Sequence, residues 1–364
     1  MAGSGTAHLR GDDVMLGVDH LVVEFGHGRN RVHAVSDVSL DVAAGETLGL
    51  VGESGCGKST TGRAIAMVSP PTSGKIRLEG AQLTALSREE LRRLRTKIQL
   101  VFQDPISSLN PRRKVRDVVA EPLNIWHMGT RAERAKKVED MLEAVGIDPV
   151  AAGDRHPVEF SGGQCQRVSI ARALMLEPKL LICDEPVSAL DVSVQAQILN
   201  LLEDLKARMG LTMIFIAHDL AVVKHVSDRV AVMYLGKLCE LAPPDVLYHR
   251  PAHPYTEALL ASIPEPDPSR GVHKVPKRLA GDLPSPINPP SGCRFRTRCP
   301  YAQERCAREE PQIRELSPGQ FVACHFPVSA PVAASASAAS PATASSAQPE
   351  SGGSGPASSP QVAS

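Results

Sequence analysis

The stretch GESGCGKST at residues 52–60 decides the fold of this chain. It fits the pattern G-x-x-x-x-G-K-[ST], whose backbone N–H groups surround phosphate oxygens when the loop joins a strand to a helix. The apolar run ETLGLVG at residues 46–52 precedes it and predicts a strand, and a helix is expected to begin near Lys58. The context is therefore the one that the motif requires, and we predict a phosphate-binding loop.

Each residue type in this loop has a physical task. Glycine adopts backbone conformations that other residues avoid, so Gly52, Gly55 and Gly57 let the chain wrap around an anion. The amino-terminal end of the following helix adds a positive dipole. We expect Lys58 to pair with the β- and γ-phosphates of a nucleotide and the Ser59 hydroxyl to ligate Mg²⁺.

Further apolar runs predict a parallel sheet around this loop. They are KIQLVFQ at 97–103, KLLICDE at 179–185 and TMIFIAHD at 212–219. They lack alternation, as do strands that are buried on both faces by helices. Between them, Ser87 and Thr130 begin capping boxes, and Gly210 ends an amphipathic pattern. The alternation of strands and helices predicts a doubly wound α/β domain.

Composition excludes several classes of protein. The 364 residues include 40 Lys and Arg against 40 Asp and Glu, and this neutral balance argues against nucleic-acid binding. No apolar run approaches the ~18–20 residues that cross a bilayer. Met1–Val14 lacks an apolar signal segment, so we expect a cytosolic chain whose eight cysteines are thiols or metal ligands.

Two further motifs carry chemistry. The run LLICDE at 180–185 ends in two carboxylates, of which Asp184 can hold Mg²⁺ and Glu185 can activate a water against the γ-phosphate. The sequence FSGGQ at 160–164 precedes a helix and predicts a second surface that binds phosphate. One chain needs two such surfaces only if the second serves a nucleotide held by a partner.

Together these motifs resemble the ATP-binding cassette (ABC) ATPases, over roughly residues 17–250. Gln103 resembles the glutamine of the Q-loop, Ser188–Asp191 the D-loop and His218 the switch histidine of that family. The resemblance implies that Glu185, His218 and Gln103 are catalytic and that Ser59, Gln103 and Asp184 hold Mg²⁺. The residues that it implies for ATP binding are Phe25 (stacked on adenine), Gly52, Ser54, Gly55, Cys56, Gly57, Lys58, Ser59, Thr60, Ser161, Gly162, Gly163, Gln164 and Asp191.

The resemblance also implies a head-to-tail dimer of ATPase domains. Each ATP then lies between the phosphate loop of one subunit and Ser161–Gln164 of the other, and hydrolysis opens the dimer. The second ATPase would form a heterodimer, although a homodimer stays open. The segment after Gln103 is implied to dock onto membrane subunits.

Longer strings narrow the resemblance and extend it to about residue 327. QDPISSLNPR at 103–112, EPVSALDVSVQAQ at 185–197 and PAHPYT at 251–256 are similar to ATPase subunits of bacterial oligopeptide, dipeptide and nickel importers, the dipeptide type above all. This implies a peripheral subunit on the cytoplasmic face of the inner membrane. Its partners would be two permeases and a periplasmic peptide-binding protein.

Alternatives to a peptide importer stay open. Nickel, haem or 5-aminolevulinate could be the cargo. A soluble ABC ATPase that acts on DNA or ribosomes is disfavoured by the single cassette and the neutral charge. A catalytically dead subunit is disfavoured because Glu185, His218 and Ser161–Gln164 are all intact.

We expect four regions along the chain. These are a flexible leader (1–15), the ABC ATPase domain (16–250, with a helical subdomain at about 104–177), a C-terminal domain (251–327) and a disordered tail rich in Ala, Ser and Pro (328–364). The third region is rich in proline, and we expect something other than a large apolar core to hold it together.

Four cysteines of the C-terminal region are candidate metal ligands. Cys293, Cys299, Cys306 and Cys324 contain no C-x-x-C pair, so a standard zinc site is only weakly indicated. Some members of the resembling importer family hold a [4Fe–4S] cluster on four cysteines, which implies such a cluster here; zinc and metal-free thiols stay open. Because these cysteines are far in sequence from the ATP motifs, we assign the cluster no catalytic role.

Overall fold

The computed structural model of the chain describes residues 5–11, 13–263 and 281–329. Two sheets and a set of helices make up this part of the chain. Among the helices so described, none combines the length and the apolar character that a membrane span needs. The predicted tail from residue 330 onward lies outside the described residues.

A large sheet forms the centre of the fold. Its eight strands run in the order β11-β12-β10-β9-β3-β8-β7-β6. The stretch from β9 to β6 pairs in parallel, and β10, β11 and β12 add antiparallel pairs. The strands are β3 (Thr47–Val51), β6 (Ile98–Val101), β7 (Leu180–Asp184), β8 (Thr212–Ala217), β9 (Arg229–Tyr234), β10 (Lys237–Ala242), β11 (Arg314–Ser317) and β12 (Gln320–Val322).

A smaller antiparallel sheet has the order β2-β1-β4-β5. It consists of β1 (Leu16–Phe25), β2 (Val32–Val42), β4 (Ser73–Leu78) and β5 (Ala81–Gln82). The α-helices are α1 (Lys58–Ile65), α2 (Arg88–Leu94), α3 (Pro105–Ser108), α4 (Val115–Ile125), α5 (Arg131–Ala144), α6 (Pro149–Ala152), α7 (Gly162–Leu174), α8 (Val192–Met209), α9 (Leu220–Val226), α10 (Pro244–His249), α11 (Pro254–Ala261) and α12 (Glu304–Arg308).

The apolar runs of the sequence form the central strands. Every residue of β3, β7 and β8 is buried, and β7 shows why alternation is absent. Ile182 packs into one apolar cluster and its neighbour Cys183 into another, so both faces of the sheet are covered. The predicted parallel sheet is confirmed.

The predicted helix signals are also found. Ser87 and Thr130 each accept a hydrogen bond from the backbone N–H three residues on, while Glu90 and Glu133 bond back to them. Gly210 ends α8 in the left-handed conformation at φ 63°. Helices α3 to α7 lie within the segment predicted as a helical subdomain.

Part of the predicted flexible leader packs on the domain. The ring of His8 is buried, with Nε2 2.7 Å from the Ser39 carbonyl oxygen. Arg10 forms ion pairs with Asp41 and Glu46. Because these contacts offset the entropy of ordering the segment, residues 5–11 are not a free leader.

The C-terminal region shares the sheet and the core of the ATPase domain, contrary to the expectation of a segment without a large core. Strand β12 pairs with β10, and Phe295 is buried in the main apolar cluster. The buried Glu240 carboxylate accepts hydrogen bonds from the backbone of His253 and from Gln320 Nε2. Apolar packing and backbone pairing therefore order the described residues of this proline-rich region.

Candidate functional site

The phosphate loop has a conformation that only glycine tolerates at two points. Gly52 and Gly57 have φ values of 150° and 105°. A Cβ atom on Gly52 would lie 2.1 Å from the Met233 carbonyl oxygen, and one on Gly57 would lie 2.3 Å from the Ala34 carbonyl oxygen. The loop is therefore pressed between β2 and the end of β9, which explains why the motif requires glycine there.

The loop lysine bonds to the loop itself. Lys58 is buried, and its Nζ donates to the carbonyl oxygens of Gly52 at 2.7 Å and Glu53 at 3.0 Å. Helix α1 begins at Lys58, so Ser59 and Thr60 lie in its first turn, where the helix dipole is positive. A bound phosphate would offer Lys58 a stronger, charged acceptor at this helix end.

A buried carboxylate faces the loop. Asp184, the last residue of β7, accepts a hydrogen bond from Ser59 Oγ at 2.6 Å. Its second oxygen has no hydrogen-bond partner, and Arg63 Nη2 lies 3.7 Å from it, too far for a hydrogen bond. Burial raises the pKa of Asp184, while Ser59 and Arg63 oppose that rise.

This donor set fits Mg²⁺. A hydroxyl and a carboxylate oxygen are hard ligands of the kind that Mg²⁺ takes, and an unpaired buried oxygen is costly unless something binds it. Ser59 and Asp184 are therefore brought together as predicted. Gln103, the third predicted Mg²⁺ ligand, bonds instead to Glu185.

Glu185 joins three of the predicted motifs. Gln103 Nε2 donates to its Oε2 at 3.0 Å, and Nδ1 of His218 lies 3.2 Å from the same oxygen. Glu185 has a φ of 48°, which is uncommon for a residue with a side chain and is a form of strain found at functional sites. Its carboxylate is 11% exposed, within reach of a water. The three side chains predicted to be catalytic are thus in contact.

The second phosphate-binding surface lies at the start of α7. Ser161 caps this helix, accepting a hydrogen bond from the Gln164 N–H, and both residues are exposed. Gly163 is buried, and a Cβ atom there would lie 2.5 Å from Val194 Cγ1 on α8. Gly162 has more space, with Leu190 Cδ2 at 3.4 Å.

Three further residues that were predicted to contact ATP lie on different elements of the fold. Phe25 is 47% exposed at the end of β1, as a ring that stacks on a ligand would be. Asp191 caps α8 through the Val194 N–H. Hydrogen bonding from Ser193 lowers the pKa of Asp191. Cys56 is fully buried inside the loop, so it is a packing residue there.

The four C-terminal cysteines line one pocket, here called the cysteine pocket, together with His253 and His325. Burial raises the pKa of Cys293 to about 11 and of Cys324 to about 12, so both are protonated at neutral pH without a metal. In the part of the chain that the structure describes, no three or more His, Cys, Asp or Glu side chains form a group that could hold a metal ion. The donor types fit a cluster, but their present arrangement does not.

Two contacts of the phosphate loop come from residues outside the predicted ATP motifs. The Glu53 carboxylate binds the guanidinium of Arg298, and the Glu53 N–H donates to Tyr255 Oη. Sequence reasoning missed both, since Glu53 occupies a variable position of the loop pattern. Only the presence of a carboxylate so close to the phosphate site could have suggested that a cation must face it.

Comparison with known proteins finds two family models that match this chain. The ABC transporter family model matches residues 35–188, and the model "Oligopeptide/dipeptide transporter, C-terminal region" matches residues 239–306. A putative oligopeptide transport ATP-binding protein of Bacillus subtilis, YkfD, is 52% identical over 86% of this chain and 95% of its own length. The chain belongs to the ABC transporter family. The predicted family, and with it an ATPase of this type, is confirmed.

Other relatives and solved structures agree. The oligopeptide transport ATP-binding protein AppF of Bacillus subtilis is 54% identical over 81% of this chain and 90% of its own length. The ATP-binding cassette MJ0796, solved as a dimer bound to ADP and Pi, covers 63% of this chain with 99% of its own, at 29% identity and a TM-score of 0.58. The predicted α/β ABC ATPase fold is confirmed.

The Glu185 contacts generate a first prediction. Replacing Glu185 with Gln keeps its shape and its hydrogen-bond acceptor for Gln103 but removes the base. We expect ATP hydrolysis to fall by about 10²–10⁴-fold, the usual contribution of a positioned base, with ATP affinity retained. Single-turnover hydrolysis and equilibrium nucleotide binding measure the two quantities.

The matched control is Glu203→Gln, an exposed carboxylate on α8. It should hydrolyse ATP at the wild-type rate. Near-normal hydrolysis by Glu185→Gln would exclude the role given to Glu185.

Proposed function

We propose that this chain is the ATP-hydrolysing subunit of an ABC importer that takes up oligopeptides or dipeptides across the bacterial cytoplasmic membrane. The observation that carries the proposal is the pair of matches that together span most of the chain: an ABC transporter model and a C-terminal model of oligopeptide/dipeptide transporters. Relatives at 52–54% identity are named for oligopeptide transport. Nickel, haem and 5-aminolevulinate remain alternative cargoes.

The chemistry follows from the contacts at the loop. ATP binds with its phosphates against the N–H groups of residues 52–60 and the start of α1, and Lys58 exchanges its loop carbonyls for the β- and γ-phosphates. Ser59 and Asp184 would hold Mg²⁺, with Gln103 joining them on a shift away from Glu185. The ion would neutralise negative charge on the phosphates.

Glu185 then acts on the attacking water. Its Oε2 accepts a proton from a water placed against the γ-phosphate, while His218, beside the same oxygen, contacts that phosphate. Phe25 supplies an exposed ring for the adenine base. Ser54, Gly55, Cys56 and Thr60 act through the backbone and hydroxyl groups of the loop.

A second ATPase subunit completes each site in this proposal. Exposed Ser161 and Gln164 offer polar atoms at a positive helix end, together with Gly162 and the N-cap Asp191 of the adjacent helix. Gly163 serves a different need, since its hydrogen fits against Val194. A substitution at Gly163 would therefore disturb the α7–α8 contact, and Ser161 is the position at which charge can be added without a clash.

The remaining partners are the membrane subunits. Two permeases and a periplasmic peptide-binding protein would complete the importer, with this chain on the cytoplasmic face of the membrane as a peripheral subunit. The exposed apolar side chains of Phe102 and Ile106, which flank Gln103, suit contact with a permease. No role for nucleic acid is proposed.

We further propose that the cysteine pocket holds a structural [4Fe–4S] cluster. Support comes from the four thiols around one pocket. Metal binding would have to deprotonate these thiols against their raised pKa values and would require a local rearrangement. The proposed domain limits remain 16–250 for the ATPase domain and 251–327 for the C-terminal region.

Stimulated hydrolysis tests the proposed function. Permeases that co-purify with the tagged full-length chain are placed in proteoliposomes with their binding protein. We expect peptides of two to five residues to stimulate ATP hydrolysis several-fold, and Glu185→Gln to abolish the stimulation. If nickel, haem or 5-aminolevulinate stimulated hydrolysis and peptides did not, the cargo would be the stimulating compound and not a peptide.

Anaerobic purification tests the cluster. We expect brown protein with about four irons per chain and broad absorbance near 400 nm, and Cys299→Ser should lose this colour. Cys239→Ser, a buried cysteine of β10, is the control and should keep it. Stoichiometric zinc or metal-free ordered protein would contradict the cluster without affecting the ATPase.

A further inference from the structure

The phosphate loop is bound from outside by an arginine of the C-terminal region. Arg298 Nη1 and Nη2 donate to Oε2 and Oε1 of Glu53 at 2.6 and 3.0 Å, a two-pronged ion pair. The Arg298 side chain is only 6% exposed and that of Glu53 is 29% exposed, so solvent screens this pair only in part. Its guanidinium carbon also lies 5.8 Å from the centre of the Tyr234 ring.

A second group from the same part of the chain holds the loop backbone. Tyr255 Oη accepts a hydrogen bond from the Glu53 N–H at 2.8 Å. Tyr255 is fully buried, and its ring packs edge-on against Tyr234 at a centroid distance of 4.8 Å and in a tilted arrangement against Phe295 at 5.3 Å. The hydroxyl therefore cannot follow the loop if the loop moves, and it defines where Glu53 must lie.

We propose that Arg298 and Tyr255 are positioning residues that hold the phosphate loop in the shape that accepts ATP. The C-terminal region thereby takes part in ATP binding. This inference rests on the proposed role of residues 52–60 as the ATP site.

Two physical effects support this role. Glu53 places a negative charge next to Ser54, within the loop that receives the triphosphate, and Arg298 neutralises that charge. In addition, a loop fixed before binding loses less conformational entropy when the ligand arrives. Both effects act on ATP and on the transition state alike, so they change KM and leave kcat nearly unaltered.

The primary test is Arg298→Gln in the full-length chain. We expect the KM for ATP to rise about 10-fold, because a charge-assisted pair is lost and the Glu53 charge is left unneutralised within the loop. The kcat should stay within about twofold of wild type. Arg298→Lys keeps the charge without the fork geometry and should give an intermediate KM.

A double variant separates positioning from a merely structural role. Glu53→Gln combined with Arg298→Gln removes the unneutralised charge but also lacks the contact that fixes the loop, so its KM should fall below that of Arg298→Gln and stay above that of wild type. Loss of folded protein would instead lower the apparent kcat in both variants and leave KM unchanged. Arg296→Gln is the matched control, since the Arg296 side chain donates hydrogen bonds to Ser291 within its own segment.

The outcomes distinguish this inference from the proposed function. An unchanged KM in folded Arg298→Gln and Arg298→Lys, or a KM that the added Glu53→Gln returns fully to the wild-type value, overturns the inference alone. Wild-type protein that hydrolyses no ATP, or Lys58→Ala protein that still binds it, overturns the proposed ATP site as well.

Discussion

Parallel pairing of four neighbouring strands is the constraint on which the whole site depends. Strands β3, β8, β7 and β6 lie side by side, so their carboxyl ends meet at one edge of the sheet. The phosphate loop follows β3, His218 follows β8, Asp184 ends β7 with Glu185 next to it, and Gln103 lies just beyond β6. Groups separated by more than a hundred residues of chain thereby come within hydrogen-bond distance.

Much of this edge could be predicted from sequence because its determinants are local. Each central strand is a short apolar run, and each functional side chain stands directly after one. The need for glycine at positions 52 and 57 can also be seen in the local sequence. Only glycine fits there, because a Cβ atom would collide with the carbonyl oxygen of Met233 or Ala34. A short pattern with fixed spacing carries all of that information.

Contacts between distant segments could not be predicted in the same way. Proline content suggested a C-terminal region without a core, yet Phe295 packs in the main cluster and Gln320 bonds to Glu240. Neither side chain stands in a sequence pattern that would predict which residue it contacts. Likewise, Arg298 is one of several arginines in its segment, and only the folded chain shows that it meets Glu53.

The position of Ser161 is the main reason to infer that ATP joins two subunits. It caps α7, follows no central strand and so does not belong to the sheet edge where Glu185, Gln103 and His218 meet. Two phosphate-binding surfaces on one chain are explained if ATP joins two subunits, and hydrolysis is then a property of the dimer.

ATP-dependent association of ATPase subunits tests this claim most directly, measured by light scattering in the Glu185→Gln background. Ser161→Asp keeps a good helix cap but adds a negative charge where a γ-phosphate would lie. The account predicts that it binds ATP normally and no longer associates, while Thr130→Asp, the same change at the cap of α5, associates like its parent. Undiminished association of the Ser161→Asp protein would contradict the account.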